Sequence, residues 1–306
     1  MKQYAPYLAG IGFASIFGLS FMFTRGALEH LAPFHLLGLR FAMAITFFTL
    51  LRLTGLIKIS TPPQIYKDLL PLAIFQPLIY FSAETTGVLL TSASYAGMMI
   101  AVIPIFVAIL AATFLGERPS RIQTLFILTS VAGVIFITTM DNQSNVDANP
   151  LGTLALLGAV LAGACYNITS RRASAKYTPV QITWVMMLIG AVTFNTIAII
   201  QHLIGGNLSA YLTPLPLIWP AVLYLGGLSS VLAFFLINFS LSKLTAAQSS
   251  VFANLVTVIA ITAGVLFRGE AFYWYHALGA VAILAGVWGT NRHAASRFRK
   301  QTTKSA

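Results

Sequence analysis

The side chains most able to do chemistry in this chain are a few polar residues within long apolar segments. Glu84 is the one carboxylate that lies well inside such a segment. Gln76 and Tyr80 precede it at helical spacing, so the three share one face of a helix. Glu84 could bind an ammonium group or carry a coupled proton. It could equally be a neutral carboxyl that hydrogen-bonds neighbouring helices together.

Arg40 is the cation that could complement Glu84. It lies in the apolar segment that begins at Pro33, and a guanidinium is well suited to binding a carboxylate. A long arginine side chain can also extend along its helix and place its charge in the polar layer at the helix end. The sequence leaves both roles open.

Amide, hydroxyl and aromatic side chains in other apolar segments could complete a site for a small polar molecule. Each one alone is more often an interhelical hydrogen bond than a ligand contact. As a group they predict a cavity with polar and aromatic walls. The candidate ligand contacts are Gln76, Tyr80, Glu84, Ser94, Asn167, Trp184, Phe234, Asn238, Gln248 and Asn254.

The sequence offers no motif for metal binding or covalent catalysis. Cys165 is the single cysteine, which excludes a disulfide framework and a cysteine-based metal site. His35, His202 and His276 show no metal-ligand spacing. A His-Glu-x-x-His motif and an aspartate pair within apolar segments are also missing. We therefore expect no cofactor, no metal and no enzymatic activity.

The composition indicates the solvent in which these residues act. Apolar residues make up 58% of the 306 residues and charged residues only 8%, and the mean hydropathy is +0.84. A soluble domain carries roughly a quarter charged residues, so lipid is the solvent that fits this chain. The net charge of +11 resides in short segments between apolar runs and in the C-terminal tail. That distribution is typical of loops beside anionic lipid and argues against a nucleic-acid partner.

The apolar segments predict ten transmembrane helices, since a spanning helix needs about 20 apolar residues. Pro77 and Pro104 lie inside two of them and should kink those helices. The predicted spans are 5–24, 33–53, 69–90, 93–115, 121–140, 151–171, 179–203, 215–241, 245–267 and 276–291.

The basic residues predict the orientation of these spans. With the N-terminus in the cytoplasm, all but three of the 18 lysines and arginines fall on the cytoplasmic side, the exceptions being Arg25, Arg40 and Arg268. The loop between the two halves of the chain carries Asp141 and Asp147 and no base. Cytoplasmic loops are enriched in basic residues, so both termini are expected on the cytoplasmic side. The membrane is expected to be the cell membrane, that is, the plasma or inner membrane.

The chain contains an internal repeat. Residues 17–33 align with 163–179 at an offset of 146, and residues 93–134 align with 246–287 at an offset of 153. Five spans per half is an odd number, so the second half must enter the membrane from the opposite face. Inverted repeats of this kind are typical of secondary transporters, whose ligand site lies where the repeats meet. The predicted units are a first repeat at 1–145, a second repeat at 146–292 and a basic tail at 293–306.

Short motifs recur in order along both halves, and with them the chain resembles the EamA-type branch of the drug/metabolite transporter superfamily over nearly its whole length. The motifs are Phe17-Gly18-Leu19-Ser20-Phe21, Leu39-Arg40-Phe41, Thr91-Ser92-Ala93-Ser94, Ile103-Pro104-Ile105-Phe106, Gly116-Glu117, Ala132-Gly133, Ala246-Ala247, Asn254-Leu255 and Gly269-Glu270.

The resemblance implies an all-α integral membrane protein of ten helices in two inverted five-helix repeats, with a central cavity that opens alternately to either side. It also implies export of amino acids or related metabolites. The family usually repeats a proline in the ninth span, but Thr257 stands opposite Pro104 here, which predicts an asymmetric kink. Glu117 lies at a helix end, where it is expected to pair with the neighbouring Arg118 and Arg121.

These observations favour a secondary transporter of a small-molecule substrate, embedded in the lipid bilayer as a monomer or homodimer. A multispan membrane enzyme and a non-transporting receptor are the alternatives. An enzyme needs several ionisable groups at membrane depth, and the chain offers Glu84 and Arg40.

Overall fold

The structure is a computed structural model, and it describes residues 3–91, 93–141, 149–212, 216–268 and 271–302. Within these ranges the chain is helical and contains no β-strand. Among the described residues, eight helices are long and apolar enough to cross a membrane, which supports the predicted multi-pass membrane architecture. They are Ala5–Leu28, Pro33–Leu53, Tyr95–Phe114, Arg121–Met140, Pro150–Ala173, Pro179–Ile204, Leu208–Lys243 and Ala246–Ala263.

Finer assignment divides the described chain into α-helices joined by short π-helical and 3₁₀ segments. The α-helices are α1 Ala5–Leu28, α2 Pro33–Leu53, α3 Gln64–Ala73, α4 Tyr80–Leu90, α5 Ala93–Ile100, α6 Ile103–Phe114, α7 Arg121–Asp141, α8 Pro150–Ala173, α9 Pro179–Ile204, α10 Leu208–Leu212, α11 Trp219–Leu223, α12 Ala233–Lys243, α13 Ala246–Ser250, α14 Leu255–Arg268 and α15 Trp274–Thr302. The predicted span 69–90 falls on α3 and α4, and the span 276–291 falls inside α15. The total of ten spans stays a prediction.

Helix starts follow from local sequence chemistry. Proline stands in the first turn of α2, α8 and α9, where its missing N–H costs no hydrogen bond. Thr178 and Gln181 form a capping box at the start of α9, and Thr245 and Gln248 form another at the start of α13. In a capping box two side chains satisfy backbone N–H groups that the helix leaves unpaired.

Two predicted spans contain π-helical segments, Ile74–Ile79 between α3 and α4, and Tyr224–Leu232 before α12. In the first, Gln76 leaves the helical conformation, with φ −148° and ψ 115°. Pro77 follows it and has no N–H to donate. The helix is therefore broken at the predicted proline, and backbone groups there lose their regular partners.

The predicted asymmetry of the kinks near Pro104 and Thr257 stays a prediction, although both spans are interrupted. The fourth predicted span breaks between α5 and α6, just before Pro104. The ninth breaks at the 3₁₀ segment Val251–Asn254, between α13 and α14. At the offset of 153 residues the two interruptions overlap at residues 101 and 254, and the second forms without a proline.

Close packing of the helices depends on small residues and on an aromatic core. A Cβ atom added at Gly286 in α15 would lie 2.6 Å from the Phe126 carbonyl oxygen in α7, and one added at Gly133 would lie 2.8 Å from the Gly279 carbonyl oxygen. Because glycine has no Cβ atom, the two helix backbones can approach closely at these positions, as is common in membranes. In the core, the Phe41 ring is centred 5.4 Å from that of Phe81, which joins α2 to α4.

Candidate functional site

A cavity of about 280 Å³ lies between the helices. It receives side chains from both halves of the chain. Six of the predicted ligand contacts line it: Arg40, Gln76, Tyr80, Glu84, Asn167 and Phe234. Gln76, Tyr80 and Glu84 all face the cavity even though the helix breaks at Gln76, so their common face survives the break.

Glu84 is the only carboxylate among the described residues that line the cavity. Its side chain is buried, and one carboxylate oxygen, Oε2, accepts a hydrogen bond of 3.2 Å from the Thr85 hydroxyl. Within the described chain, no basic nitrogen lies within 4 Å of this carboxylate, since the ion pairs there join other residues. Glu84 therefore faces the cavity without a counter-ion in direct contact.

Arg40 is buried at the same cavity, with 4% of its surface exposed. Its Nε donates to the Ser230 hydroxyl at 2.9 Å, and its Nη2 donates to the Ser229 hydroxyl at 2.9 Å. The guanidinium carbon lies 4.3 Å from the centre of the Phe81 ring, a distance at which a cation is attracted to the ring face. Arg40 is thus held inside the bundle by neutral groups rather than extended to a helix end.

Arg40 and Glu84 carry opposite charges beside one cavity, yet they form no ion pair within 4.0 Å. Leaving a charge uncompensated in an apolar interior is costly, so intramembrane ionisable groups usually find partners or mark a ligand pathway. The arrangement can accept a molecule that carries a carboxylate at one end and an ammonium group at the other.

Aromatic rings form a second wall of the cavity. The Phe234 ring lies 5.6 Å from that of Phe17 and 5.8 Å from that of Phe81, with edge-on geometry in both pairs. Tyr166 packs edge-on against Phe234 at 6.1 Å. A wall of this kind suits an apolar or aromatic substituent on the ligand.

Several lining residues escaped the sequence prediction. Phe13, Phe17, Ser20 and Thr24 all line the cavity from α1, and they follow one another at intervals of three or four residues on a single helix face. That spacing is a signal that could have identified them. Ser229, which also lines the cavity, gives no such signal, because it lies in a π-helical segment.

Asn167 has a free acceptor in the cavity. Its amide nitrogen donates to the Gly163 carbonyl one turn earlier, at 2.8 Å, and its carbonyl oxygen has no partner in the described part of the chain. Gln76 lines the cavity with no side-chain hydrogen bond to a described residue. Both amides are therefore available to a ligand.

Asn238 lies outside the cavity lining, in a closed network. Its carbonyl oxygen accepts from the Tyr166 hydroxyl at 2.9 Å and from the Ser170 hydroxyl at 2.6 Å. Its amide nitrogen donates to the Thr183 hydroxyl at 2.9 Å. These bonds join α8, α9 and α12 and leave the asparagine with nothing to offer a ligand.

Three further predicted contacts also lie outside the lining. Gln248 serves the capping box of α13, and Asn254 donates to the Ser130 hydroxyl at 3.0 Å. Trp184 is buried against Phe48, with ring centres 5.9 Å apart. A fourth, Ser94, belongs to α5, but its side chain lies outside the described residues.

The histidines do not form a metal centre in the described structure. A ring nitrogen of His35 lies 3.1 Å from one of His202, and the other nitrogen of His202 lies 3.0 Å from the Asn207 side-chain oxygen. Among the residues that the structure describes, no three His, Cys, Asp or Glu side chains are grouped closely enough for a metal ion. The histidine pair joins α2 to α9.

Glu117 lies at the end of the bundle that also contains Arg171 and Lys176. We name this end the basic end, and Glu117 joins three helices there. One carboxylate oxygen accepts from Arg171 Nε at 2.9 Å, and the other accepts from the Ala246 backbone N–H at 2.8 Å. Arg171 also donates to the Leu241 carbonyl at 3.0 Å. The ion-pair partner of Glu117 is thus Arg171, from the other half of the chain, rather than the sequence neighbours that were predicted.

A second ion pair lies at the basic end. Asp68, in α3 just before the third predicted span, accepts hydrogen bonds from Lys176 and from the Tyr177 hydroxyl. These donors favour the ionised carboxylate and lower the pKa of Asp68. The pair ties α3 to the loop before α9.

Comparison with known proteins begins with the family model. The model of the EamA-like transporter family matches twice, at residues 5–139 and at residues 150–292. The two matches together cover most of the chain.

Individual relatives agree with the family match. The chain is 38% identical over 292 residues to the "uncharacterized transporter YcxC" of Bacillus subtilis (strain 168), covering 95% of this chain and 94% of the relative. It is 26% identical over 211 residues to the "probable terminal-alkyne amino-acid exporter" of Streptantibioticus cattleyicolor, covering 69% of this chain and 68% of the relative. A crystal structure superposes with a TM-score of 0.74 at 18% identity, covering 94% of this chain and 96% of the other.

Proposed function

Because the chain belongs to the EamA-like transporter family, a group of multi-pass membrane transporters, we propose that it exports amino acids or closely related zwitterions across the cell membrane by alternating access. The observation that carries this proposal is the placement of Arg40 and Glu84 on one cavity without a direct ion pair.

The charges of the cavity favour a zwitterion over a simple cation or anion. Arg40 would pair with the substrate carboxylate and Glu84 with its ammonium group, so each buried charge would gain its missing partner. A substrate with only one of these groups would leave the other protein charge uncompensated. A relative named as a probable amino-acid exporter adds support from outside the site.

The cavity walls favour a substrate with an apolar or aromatic side chain. The volume of about 280 Å³ is at the small end of ligand pockets, which suits a molecule of amino-acid size. Phe17, Phe81 and Phe234 offer ring edges and faces, while Asn167 and Gln76 offer polar atoms.

Four pairs of features support two inverted repeats. The π-helical segments at Ile74–Ile79 and Tyr224–Leu232 overlap at an offset of 153 residues, as do the breaks in the fourth and ninth predicted spans. The glycine contacts of α7 and α15 are also related by 153, since Gly133 meets residue 279 and Gly286 meets residue 126.

The fourth pair involves the two arginines that the repeat relates. Arg171 donates to the Leu241 carbonyl at 3.0 Å, and Arg25 donates to the Val88 carbonyl at 3.5 Å. Arg25 and Arg171 differ by 146, and Val88 and Leu241 differ by 153, which are the two offsets of the sequence repeat. Together with the two matches of the family model, these pairs favour five spans per half. The excess of lysine and arginine at the basic end favours termini on the cytoplasmic side.

Alternating access would move the two halves against each other about the cavity. The lining reaches Thr24 and Thr138, near the ends of α1 and α7 that point away from the basic end. At the basic end, Glu117 links the halves through Arg171 and Ala246. We assign to this linkage the closure of the cytoplasmic side, which must break when the cavity opens there.

Glu84 would couple transport to protons. As the sole carboxylate of the described lining, it can release a proton when a substrate ammonium group takes its place and regain one when the substrate leaves. Export of the zwitterion would then be driven by proton entry.

Counterflow in proteoliposomes tests the proposal. Vesicles loaded with unlabelled L-phenylalanine or L-leucine should accumulate the same labelled amino acid, and 2-phenylethylamine and 3-phenylpropionate, each lacking one charged group, should compete poorly. Equal competition by the single-charge analogues would refute zwitterion recognition, and the lack of counterflow across a panel of amino acids would refute the substrate class. Chemical conversion of substrate without flux would instead support the enzyme alternative. The family model and the relative YcxC are both named as transporters, which argues against that alternative.

A further inference from the structure

We infer that Ser20, Ser229 and Ser230 are positioning residues that hold the Arg40 guanidinium as a receptor for the substrate carboxylate. This inference rests on the proposed function, because it assigns the protein groups that make one end of the zwitterion site specific. None of the three serines was among the ten candidate ligand contacts.

The directions of the hydrogen bonds can be worked out from the donor inventory. A guanidinium only donates, so Ser229 and Ser230 must both accept from Arg40. The Ser229 oxygen also accepts from the Ser20 hydroxyl at 3.0 Å. The Ile16 carbonyl, also 3.0 Å from the Ser20 oxygen, is the other acceptor within reach of the same proton. Ser229 therefore joins the cavity cation to α1 through Ser20.

The chain of serines fixes the guanidinium from elements that belong to both halves. Ser229 and Ser230 lie in the second π-helical segment and are fully buried, whereas Ser20 belongs to α1. Phe81 covers the guanidinium from α4. A side chain held at two nitrogens and one face has little freedom to turn, so its remaining donors keep one direction.

The partners of Arg40 are neutral, and this distinguishes it from Arg171. Arg171 forms an ion pair with the Glu117 carboxylate. Arg40 has two of its five N–H groups bonded to hydroxyls, and its Nη1 has no partner among the described residues. Three donors and a full charge therefore remain for a ligand at the cavity. A planar fork of guanidinium donors is the geometry that binds a carboxylate in bidentate fashion.

Variants can separate positioning from a merely structural role. We propose Ser229→Ala combined with Ser230→Ala, and Ser20→Ala alone, with Arg40→Gln as the reference for loss of the receptor. Ser240→Ala is the matched control, because Ser240 is a fully buried serine that bonds another serine, Ser249, at 2.9 Å and does not contact Arg40.

The readout is carboxylate discrimination, measured as the ratio of inhibition constants of L-phenylalanine and its methyl ester in the counterflow assay. Wild-type protein and Ser240→Ala should prefer the free acid. The double serine variant should lose about tenfold or more of that preference, because a charge-assisted hydrogen bond becomes misdirected, while the constant for the ester changes little. Ser20→Ala should show a smaller loss in the same direction.

The possible failures are distinguishable. If the double variant keeps full discrimination while Arg40→Gln loses it, Arg40 is the receptor and the serines do not position it. If Arg40→Gln also keeps full discrimination, the carboxylate binds elsewhere and the inference is wrong, although zwitterion transport stands. Lack of counterflow in the wild-type protein would refute the proposed function itself. Ligand-dependent thermal stabilisation in detergent, measured with both probes, gives the same comparison for any variant that folds but transports poorly.

Discussion

At the residue scale, the proposed proton coupling depends on Glu84. Replacing it with glutamine keeps the size of the side chain but removes its titration. Glu84→Gln should abolish the stimulation of transport by a proton gradient and reduce net export about tenfold or more, while counterflow at equal pH persists in part. Flux into proteoliposomes with and without a pH gradient measures this.

The control for Glu84 is Glu29→Gln, because Glu29 is an exposed carboxylate after the end of α1. It should retain the wild-type response to the gradient. If the Glu84→Gln protein responds to the pH gradient as the control does, Glu84 does not couple transport to protons.

Spacing and charge in the sequence indicated residues that the structure brings to one cavity, while their contact with a ligand stays a prediction. Gln76, Tyr80 and Glu84 were placed on one face by their spacing, and all three line the cavity. Asn238 and Gln248 were chosen on the same ground of polarity within apolar segments, yet they lie in a hydrogen-bond network and a helix cap. An amide in lipid must find partners wherever it lies, and the sequence does not say whether those partners are protein or ligand.

Asn167 and Asn238 offer a test of that distinction. Asn238→Ala leaves three buried hydroxyls without their partner and should lower the free energy of unfolding by about 1–3 kcal/mol. Asn167→Ala should cost less stability, because Asn167 bonds only the carbonyl one turn earlier, but it should weaken substrate binding. Thermal unfolding in detergent and substrate titration of each variant measure the two effects. The opposite pattern, with Asn167 stabilising and Asn238 binding, would contradict the assigned roles.

At the element scale, apolar length predicted the helices well, because lipid forces every backbone group to be satisfied within its own segment. The break at Pro77 was also predictable, since proline removes a hydrogen bond. The π-helical segment Tyr224–Leu232 and the 3₁₀ segment Val251–Asn254 contain no proline. No local pattern in the sequence marks their departure from α-helical geometry.

Packing of α7 against α15 is the element-scale feature most open to test. Gly286→Leu would place a Cβ atom 2.6 Å from a backbone oxygen that cannot move aside. Overpacking of this kind should destabilise the protein by about 1–3 kcal/mol and reduce the yield of monodisperse protein. Gly26→Ala in α1 is the control, because a Cβ atom there meets nothing within 4 Å. Size-exclusion chromatography after a heating series measures both variants, and equal behaviour would show that the glycine contact is dispensable.

At the scale of the whole molecule, the two halves are similar in scaffold and different at the site. The π-helical segments, the helix breaks and the arginine–carbonyl contacts recur at the repeat offsets, whereas Glu84 corresponds to Ile237 and Arg40 to Met186. The sequence alignment predicted this division, because backbone features depend on small residues and apolar length that both halves share. The alignment did not reveal that Ser229 and Ser230 of the second half hold Arg40 of the first. Aligning the two halves compares equivalent positions and does not predict which residues of one half contact the other.

The linkage at the basic end should control which side of the transporter is open. Glu117 accepts from Arg171 and from the Ala246 N–H, so Glu117→Ala removes both of these bonds. Arg171→Gln removes the ion pair with Glu117 and the bond to the Leu241 carbonyl within the second half, but it leaves the bond to Ala246. Both variants should favour the conformation that is open at the basic end, Glu117→Ala more strongly. Ser250 lines the cavity within two turns of the start of α13, so a reporter cysteine can be placed there in a Cys165→Ala background. This cysteine should then react faster with a membrane-impermeant thiol reagent applied from that side.

The control is Arg121→Gln, which removes an exposed charge at the same end and should leave the rate unchanged. A rate in Glu117→Ala equal to that of Arg121→Gln would show that the linkage does not close the cavity, whereas a graded increase from Arg171→Gln to Glu117→Ala would show that each bond contributes to the closure.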